Sequence, residues 1–227
     1  VPVGLRLPGR ARRDGAGGAL VSAGEPIRWA EAQAVATELV GELADACARI
    51  EIAGSIRRRK GEVHDLEVVA IPATAERLGA DLWGGSVTVD LLEERIAELI
   101  GCDRLVPRAV EVRRRDGSVE LSRRMGSAYK ALVYRGMPVD LFITDADRWG
   151  CILALRTGPG DWNTRLVTEC KALLRRVEDG RVLHLGRVVP TPEEADFFAA
   201  LGVPWVDPCD RTVDRLRFDR ELLRGAI

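Results

Sequence analysis

The sequence predicts an α/β fold: a mixed β-sheet backed by helices, followed by a smaller α+β unit. Three observations carry that expectation. Apolar residues recur at three- and four-residue spacing through Trp29, Ala32, Ala36, Leu39, Leu43 and Cys47, which marks an amphipathic helix. The stretch from 49 to 144 turns repeatedly to the two-residue alternation of strands, with Gly117 and Gly136 as turn signals. After Asp145 the helical period returns, through Trp149, Ile152 and Leu155 and then Trp162, Leu166 and Leu173.

In chain order, residues 1–25 hold glycines with Arg6, Arg10, Arg12 and Arg13 and no periodicity, a basic arm expected to be flexible. Pro26 suits the first turn of the helix that follows. Strands are expected at 49–53, 65–71, 104–113, 129–135 and 138–144, with a helix over 88–100 closing at Gly101. Helices follow from 149 to Gly158 and beyond Trp162, then short strands over 181–189. Thr191-Pro192-Glu193-Glu194 announces another helix, with Thr191 as its cap. The predicted units are therefore a main α/β unit over 26–145, a second unit over 146–210, and a tail over 211–227, where Val213, Leu216, Leu222 and Leu223 suit one more amphipathic helix.

Composition narrows the class. At roughly 150 residues per domain, 227 residues predict one or two domains. With 46% hydrophobic and 30% charged residues, neither a disordered tail nor a membrane protein fits. There is no apolar run long enough to span a bilayer and no leader pattern, so a cytoplasmic protein without a membrane partner is expected. Five cysteines, none in a Cys-x-x-Cys pair, exclude a disulfide framework and a structural zinc site. Net charge is −1, yet residues 104–135 hold nine basic side chains against Glu111, Asp116 and Glu120. Arg113-Arg114-Arg115 sits within that stretch, which suits phosphate contacts with a polyanion.

The chemistry concentrates in Gly54-Ser55-Ile56-Arg57-Arg58-Arg59-Lys60, followed by His64-Asp65-Leu66-Glu67-Val68-Val69. On a strand, side chains two apart share a face, so Asp65 and Glu67 stand together while Leu66 and Val68 enter the core. Adjacent carboxylates raise each other's pKa unless a proton, an arginine or a divalent cation intervenes, and magnesium suits such oxygen ligands. Asp140 interrupts the apolar strand 137–143. Were that strand a neighbour, three carboxylates would surround two cations about 4 Å apart, a phosphoryl-transfer arrangement. Gly54 would let the backbone approach the phosphates, Ser55 would donate a hydrogen bond and Arg58 would neutralise the charge. Asp90 is a weaker rival for the third carboxylate, His64 and His184 read as structural, and Trp162 suits either base stacking or core packing.

Taken in this order, the residues resemble the nucleotidyltransferase superfamily and, within it, the DNA polymerase beta-like (family X) polymerases. Gly54, Ser55, Arg58 and Asp65 match the family's first motif at its spacing, with Glu67 where the family has a second aspartate. Asp140 resembles the third aspartate, which accepts the proton of the primer 3′-hydroxyl. Trp149-Gly150-Cys151 through Asn163 resembles the second motif, which implies that Thr157 and Gly158 border the nucleotide sugar and Asn163 contacts the base. Leu155-Arg156 stands where many members carry an aromatic pair. The likeness runs from about residue 30 to 212 and lacks the family's amino-terminal lyase domain and helix-hairpin-helix.

The resemblance implies a reduced palm (26–145) and thumb (146–210). It further implies a metal-dependent transferase that extends a nucleic-acid 3′-end, most simply a minimal DNA polymerase. Asp65, Glu67 and Asp140 would be the catalytic and metal-holding set for two magnesium ions, manganese being the alternative, and Gly54, Ser55, Arg58, Thr157, Gly158 and Asn163 would bind the nucleotide. Expected partners are a nucleoside triphosphate, nucleic acid (DNA first) and a protein that supplies extra grip on DNA. Two rival readings keep parts of this: template-independent addition or transfer to RNA, protein or a small molecule, and a binding module with an impaired site, motivated by Glu67.

Overall fold

The computed structural model describes residues 25–78, 85–113 and 116–219; most of the basic arm, Arg114, Arg115 and the last eight residues lie outside these. The chain runs β1 (Ile27–Arg28), α1 (Trp29–Leu43), β2 (Cys47–Ile52), α2 (Gly54–Arg57), β3 (Glu62–Val63), β4 (Leu66–Pro72), β5 (Thr74–Leu78), β6 (Ser86–Asp90) and α3 (Leu91–Gly101). It continues through β7 (Leu105–Pro107), β8 (Ala109–Arg113), β9 (Val119–Arg123), β10 (Tyr129–Tyr134), β11 (Met137–Ile143), α4 (Trp149–Thr157) and α5 (Gly160–Glu169). Last come β12 (Arg175–Glu178), β13 (Arg181–His184), β14 (Arg187–Val189) and α6 (Glu194–Leu201).

The fold is mixed α/β. Its central sheet has the order β2-β4-β11-β10-β7, with β4 and β11 parallel and the other neighbours antiparallel. One face packs on α1 and α3: Ala32, Ala36, Leu39 and Leu43 meet Leu66, Val68, Ile96, Leu99, Val139 and Leu141 in one buried cluster. On the opposite face Val69 and Phe142 pack against Trp149 and Leu153 of α4. The strand period therefore divides β4 and β11 between a core face and a face that α4 leans over. Two antiparallel ribbons, β5–β6 and β8–β9, stand outside the sheet.

Several element ends differ from the sequence reading. α1 begins at Trp29 rather than Pro26, because Ile27 and Arg28 pair with Val63 and Glu62. Residues 88–90 belong to β6, and Asp90 caps α3, accepting from the Glu93 amide at 2.9 Å. That use removes Asp90 as a rival carboxylate. The stretch 104–113 is two strands, since the chain leaves the sheet at Arg108. Glu193, not Thr191, caps α6 in a capping box with Asp196. Thr191 is buried and its carbonyl instead accepts from the Gly150 amide at 2.7 Å.

The second core gathers Trp162, Leu166, Phe197, Phe198, Leu201 and Val182 beside the β12-β13-β14 sheet. Trp162 is fully buried, its ring edge-on to Phe198 at 5.7 Å, so core packing, not base stacking, occupies it. Residues 211–219 form one 3-10 turn, Val213–Arg215, and no helix; Leu222 and Leu223 lie outside the described residues. Among the described residues, no helix is long and apolar enough to cross a membrane.

A buried ion cluster fastens the second core to the sheet. Glu194 receives both Nη atoms of Arg57 at 2.8 and 2.9 Å, Nη2 of Arg211 at 2.8 Å and the Trp205 indole at 3.3 Å. Burial alone would raise the Glu194 carboxyl; the two guanidiniums overcome it and hold the group below its ordinary range. Replacing Glu194 by alanine leaves the fully buried Arg211 side chain uncompensated. We expect Glu194→Ala to lose about 3–5 kcal/mol in denaturant unfolding; a loss below about 1 kcal/mol would show that the cluster is not what fastens the two cores.

Candidate active site

The acids sit where β4 meets its parallel neighbour. In the β4–β11 register Glu67 lies beside Asp140, and Asp65, two residues before Glu67, shares that face. All three stand on the side that α4 covers. The half-buried Asp65 carboxyl is raised above its ordinary value by burial, then by Asp140, against Arg108, His64 and Arg58. Glu67 is pushed from 4.5 to about 8 by burial first and then by Asp65 and Asp140. Neither acid forms a salt bridge within the described residues.

Gly54 makes this proximity possible. It has φ +63, and a Cβ there would collide with the Glu67 carboxylate, with Cδ at 2.8 Å. Only glycine combines that backbone conformation with so close a neighbour. The Ala53 amide donates to the Glu67 carbonyl at 2.8 Å, which fixes the start of α2 against β4. On α2, the Ser55 hydroxyl oxygen is buried and has no hydrogen-bond partner. Arg58 follows; burial lowers its pKa, while Glu67, Asp65 and Asp161 oppose the shift. Its Nη1 donates to the Thr157 carbonyl, joining the α2 turn to the end of α4.

Thr157, Gly158 and Asn163 form the neighbouring turn. The Thr157 hydroxyl accepts from Arg57 Nη1 at 3.0 Å. Asn163 Nδ2 donates to the Leu155 carbonyl at 2.7 Å and to the Gly158 carbonyl at 3.0 Å, so both of its donors serve the turn. Its Oδ1 is buried and unpartnered. A Cβ at Gly158 would press on Asn163 Cγ at 3.0 Å and Trp162 Cε3 at 3.0 Å. Glycine thus allows α4 and α5 to meet tightly here.

Three residues emerge that the sequence did not single out for this place. Tyr129 on β10 donates its hydroxyl to Asp140 Oδ1 at 2.7 Å, and Arg108, just past β7, pairs with the same oxygen. Burial and Asp140 keep the Tyr129 phenol protonated. Arg156 on α4 places its guanidinium 3.9 Å from the Phe142 ring centre; burial lowers its pKa, opposed by Glu67 and Asp140. Arg108 was visible only as one cation of the basic stretch, and Arg156 only as a departure from an aromatic pair. No spacing in the sequence signals Tyr129, because its contact is made across strands.

As a donor set, Asp65 and Glu67 fit a hard divalent cation: paired, half-buried carboxylates without a counter-ion of their own. Asp140 already shares one oxygen with Arg108 and Tyr129. Among the described residues, no group of three carboxylate, histidine or cysteine side chains stands close enough to hold a metal ion. The chain thus brings the three acids to one face without converging them into a closed cage.

No family model matches this sequence. No curated protein matches it by sequence. Among solved structures, the chain is similar to Leishmania infantum polymerase beta in a ternary P/T complex, with a TM-score of 0.60 and 16% sequence identity over 84% of this chain and 78% of that one. The fold is therefore polymerase beta-like, a mixed sheet with helices.

The raised Glu67 carboxyl gives stability a pH slope. The folded protein keeps a proton that the unfolded chain releases near 4.5, so without divalent cations stability should fall as pH rises from 4.5 to about 8. Glu67→Gln should flatten that slope and make the metal-free protein more stable at pH 9. Urea unfolding with a chelator at pH 5 and pH 9 measures both; an unaltered slope in Glu67→Gln would exclude this residue as its source.

Proposed function

We propose that the protein is a metal-dependent nucleotidyltransferase that adds nucleotides from a nucleoside triphosphate to a nucleic-acid 3′-hydroxyl, most simply a minimal DNA polymerase of the beta type. The observation that carries this reading is the parallel β4–β11 register. It sets Glu67 beside Asp140, next to the Gly54 turn, within a polymerase beta-like fold. The neighbour's P/T complex supports nucleic acid, and DNA first, as the partner.

In this reading Asp65, Glu67 and Asp140 hold the cations. Magnesium, with manganese as the alternative, would lower the pKa of the attacking hydroxyl and neutralise the triphosphate when bound. Asp140 has one oxygen engaged by Arg108 and Tyr129; the other, Oδ2, takes the proton of the 3′-hydroxyl. As the 3′-oxygen forms its bond to the α-phosphorus, the bond to pyrophosphate breaks and pyrophosphate leaves. The unpartnered Ser55 hydroxyl donates to a phosphate oxygen, and the Arg58 guanidinium pairs with the same group. The Thr157-Gly158 turn lines the sugar, and Asn163, whose amide braces that turn through the Leu155 and Gly158 carbonyls, contacts the base.

Extension of a labelled primer on gapped, full-template and single-stranded DNA, one nucleotide at a time, tests the proposal. We expect template-matched addition that falls at least about 10³-fold in Asp140→Ala, on the order of 4 kcal/mol of barrier. Arg58→Ala should raise the nucleotide KM about tenfold with a smaller change in kcat. Addition regardless of template would make the protein a terminal transferase. Turnover that survives Asp140→Ala would remove the assigned acid.

A further inference from the structure

The second unit carries a cation without a counter-ion. Arg175 opens β12 and is only 2% exposed, and its Nε and Nη1 are buried with no hydrogen-bond partner. A guanidinium does not discharge by losing a proton at accessible pH, and burying it uncompensated is costly. No carboxylate among the described residues pairs with it. The strand register instead sets His184 opposite Arg175 and Arg187 opposite His184, a row of basic side chains across three strands.

The surroundings repeat the sign. Lys171 is exposed and has no acidic partner among the described residues, while Arg176 reaches Glu178 only at 3.8 Å, with both side chains largely in solvent. Leu174 and Leu185 take φ +58 and +50, a conformation uncommon for bulky side chains, and are 63% and 69% exposed. Three cations, Lys171, Arg175 and Arg176, and one acid, Glu178, bound a cleft of about 580 Å³ together with Leu174, Leu183 and Leu185. Arg175, being buried, belongs to its floor.

We propose that this cleft is a second anion site, separate from the acid-bearing sheet, which takes a phosphate oxyanion as the missing partner of Arg175. A buried polar group left unpaired in a folded chain points to an ion or water that completes it. Arginine, weakly hydrated and fork-shaped, is the side chain best suited to hold phosphate there. Lys171 and Arg176 add charge at the rim, and the leucines supply an apolar wall for whatever carries the phosphate. The inference stands on the second unit alone and does not depend on the chemistry proposed for Asp65, Glu67 and Asp140.

The test compares the full chain with Arg175→Met and Lys171→Ala, both of which keep Ser55 and Arg58, so that phosphate binding at the sheet cancels. Thermal unfolding is followed in chloride and in inorganic phosphate at equal ionic strength, and binding of a labelled single-stranded oligonucleotide by anisotropy. Phosphate should raise the wild-type Tm by about 3 °C or more over chloride. Both variants should lose at least half of that rise, and Arg175→Met in chloride should be as stable as the wild type or more so. Oligonucleotide affinity that falls about tenfold in both variants assigns the phosphate to a strand; unchanged affinity with the phosphate response lost assigns it to a free phosphate. No phosphate effect on the wild type, or an intact effect in Lys171→Ala, overturns the proposal. So does an Arg175→Met protein destabilised in chloride, because the guanidinium then has an internal partner.

Discussion

The carboxylate of Glu194, held by Arg57 from one core and Arg211 from the other, is the contact on which the rest of the arrangement depends. A carboxylate this buried survives as an anion only because two guanidiniums meet it, and each of those cations requires it in turn. Arg57 belongs to α2, a helix of four residues that could not persist alone. Its position is borrowed from Glu194, from the Thr157 hydroxyl, and from the Trp29 indole, which donates to the Ile56 carbonyl at 2.9 Å. Arg49 adds a second tie, reaching Glu193 at 2.7 Å while lying over the Trp149 ring. Ser55 and Arg58 are thus placed by contacts that use none of the carboxyl groups of Asp65, Glu67 and Asp140; Glu67 contributes only its backbone carbonyl, to the Ala53 amide.

The acid cluster is built on an opposite principle. Its three carboxylates gain nothing from one another, and the fold holds them together through hydrophobic burial of the strands that bear them. Leu66 and Val68 on β4 and Val139 and Leu141 on β11 are buried on the far face, and the pleat then delivers Asp65, Glu67 and Asp140 to the near one. The raised Glu67 carboxyl is the thermodynamic trace of that imposition. Strain of this sort is what a site gains when its charge is meant to be completed by something else.

What the sequence made legible follows the distance over which each feature acts. Gly54, Ser55, Arg58, Asp65 and Glu67 form one local segment, so alternation and turn chemistry sufficed to set them together. Asp140 stood out because an acid interrupts an apolar strand, but its pairing with Glu67 is a register between parallel strands, which no local pattern specifies. Arg108 and Tyr129 reach Asp140 from strand ends across the sheet, and only three-dimensional closure reveals them. Helix starts are not fixed by local pattern where two capping side chains compete, as with Thr191 and Glu193, or where a strand runs directly into its cap, as at Asp90. Trp162 allowed two readings because a large aromatic at helical spacing serves a core or a ligand equally well, and burial alone decides.

The outer strands of the central sheet carry a further consequence. β7 is three residues long and ends in Pro107, which has no amide hydrogen to offer a newcomer. At the other margin, β2 breaks register between Cys47 and Arg49 and carries Arg49 and Glu51, the former already committed to Glu193. A sheet of five strands ordinarily exposes two templates on which another chain can crystallise edge to edge. Here shortness and proline blunt one, and a bulge with charge blunts the other, so the sheet is terminated by its own sequence and is protected from growing into a fibre.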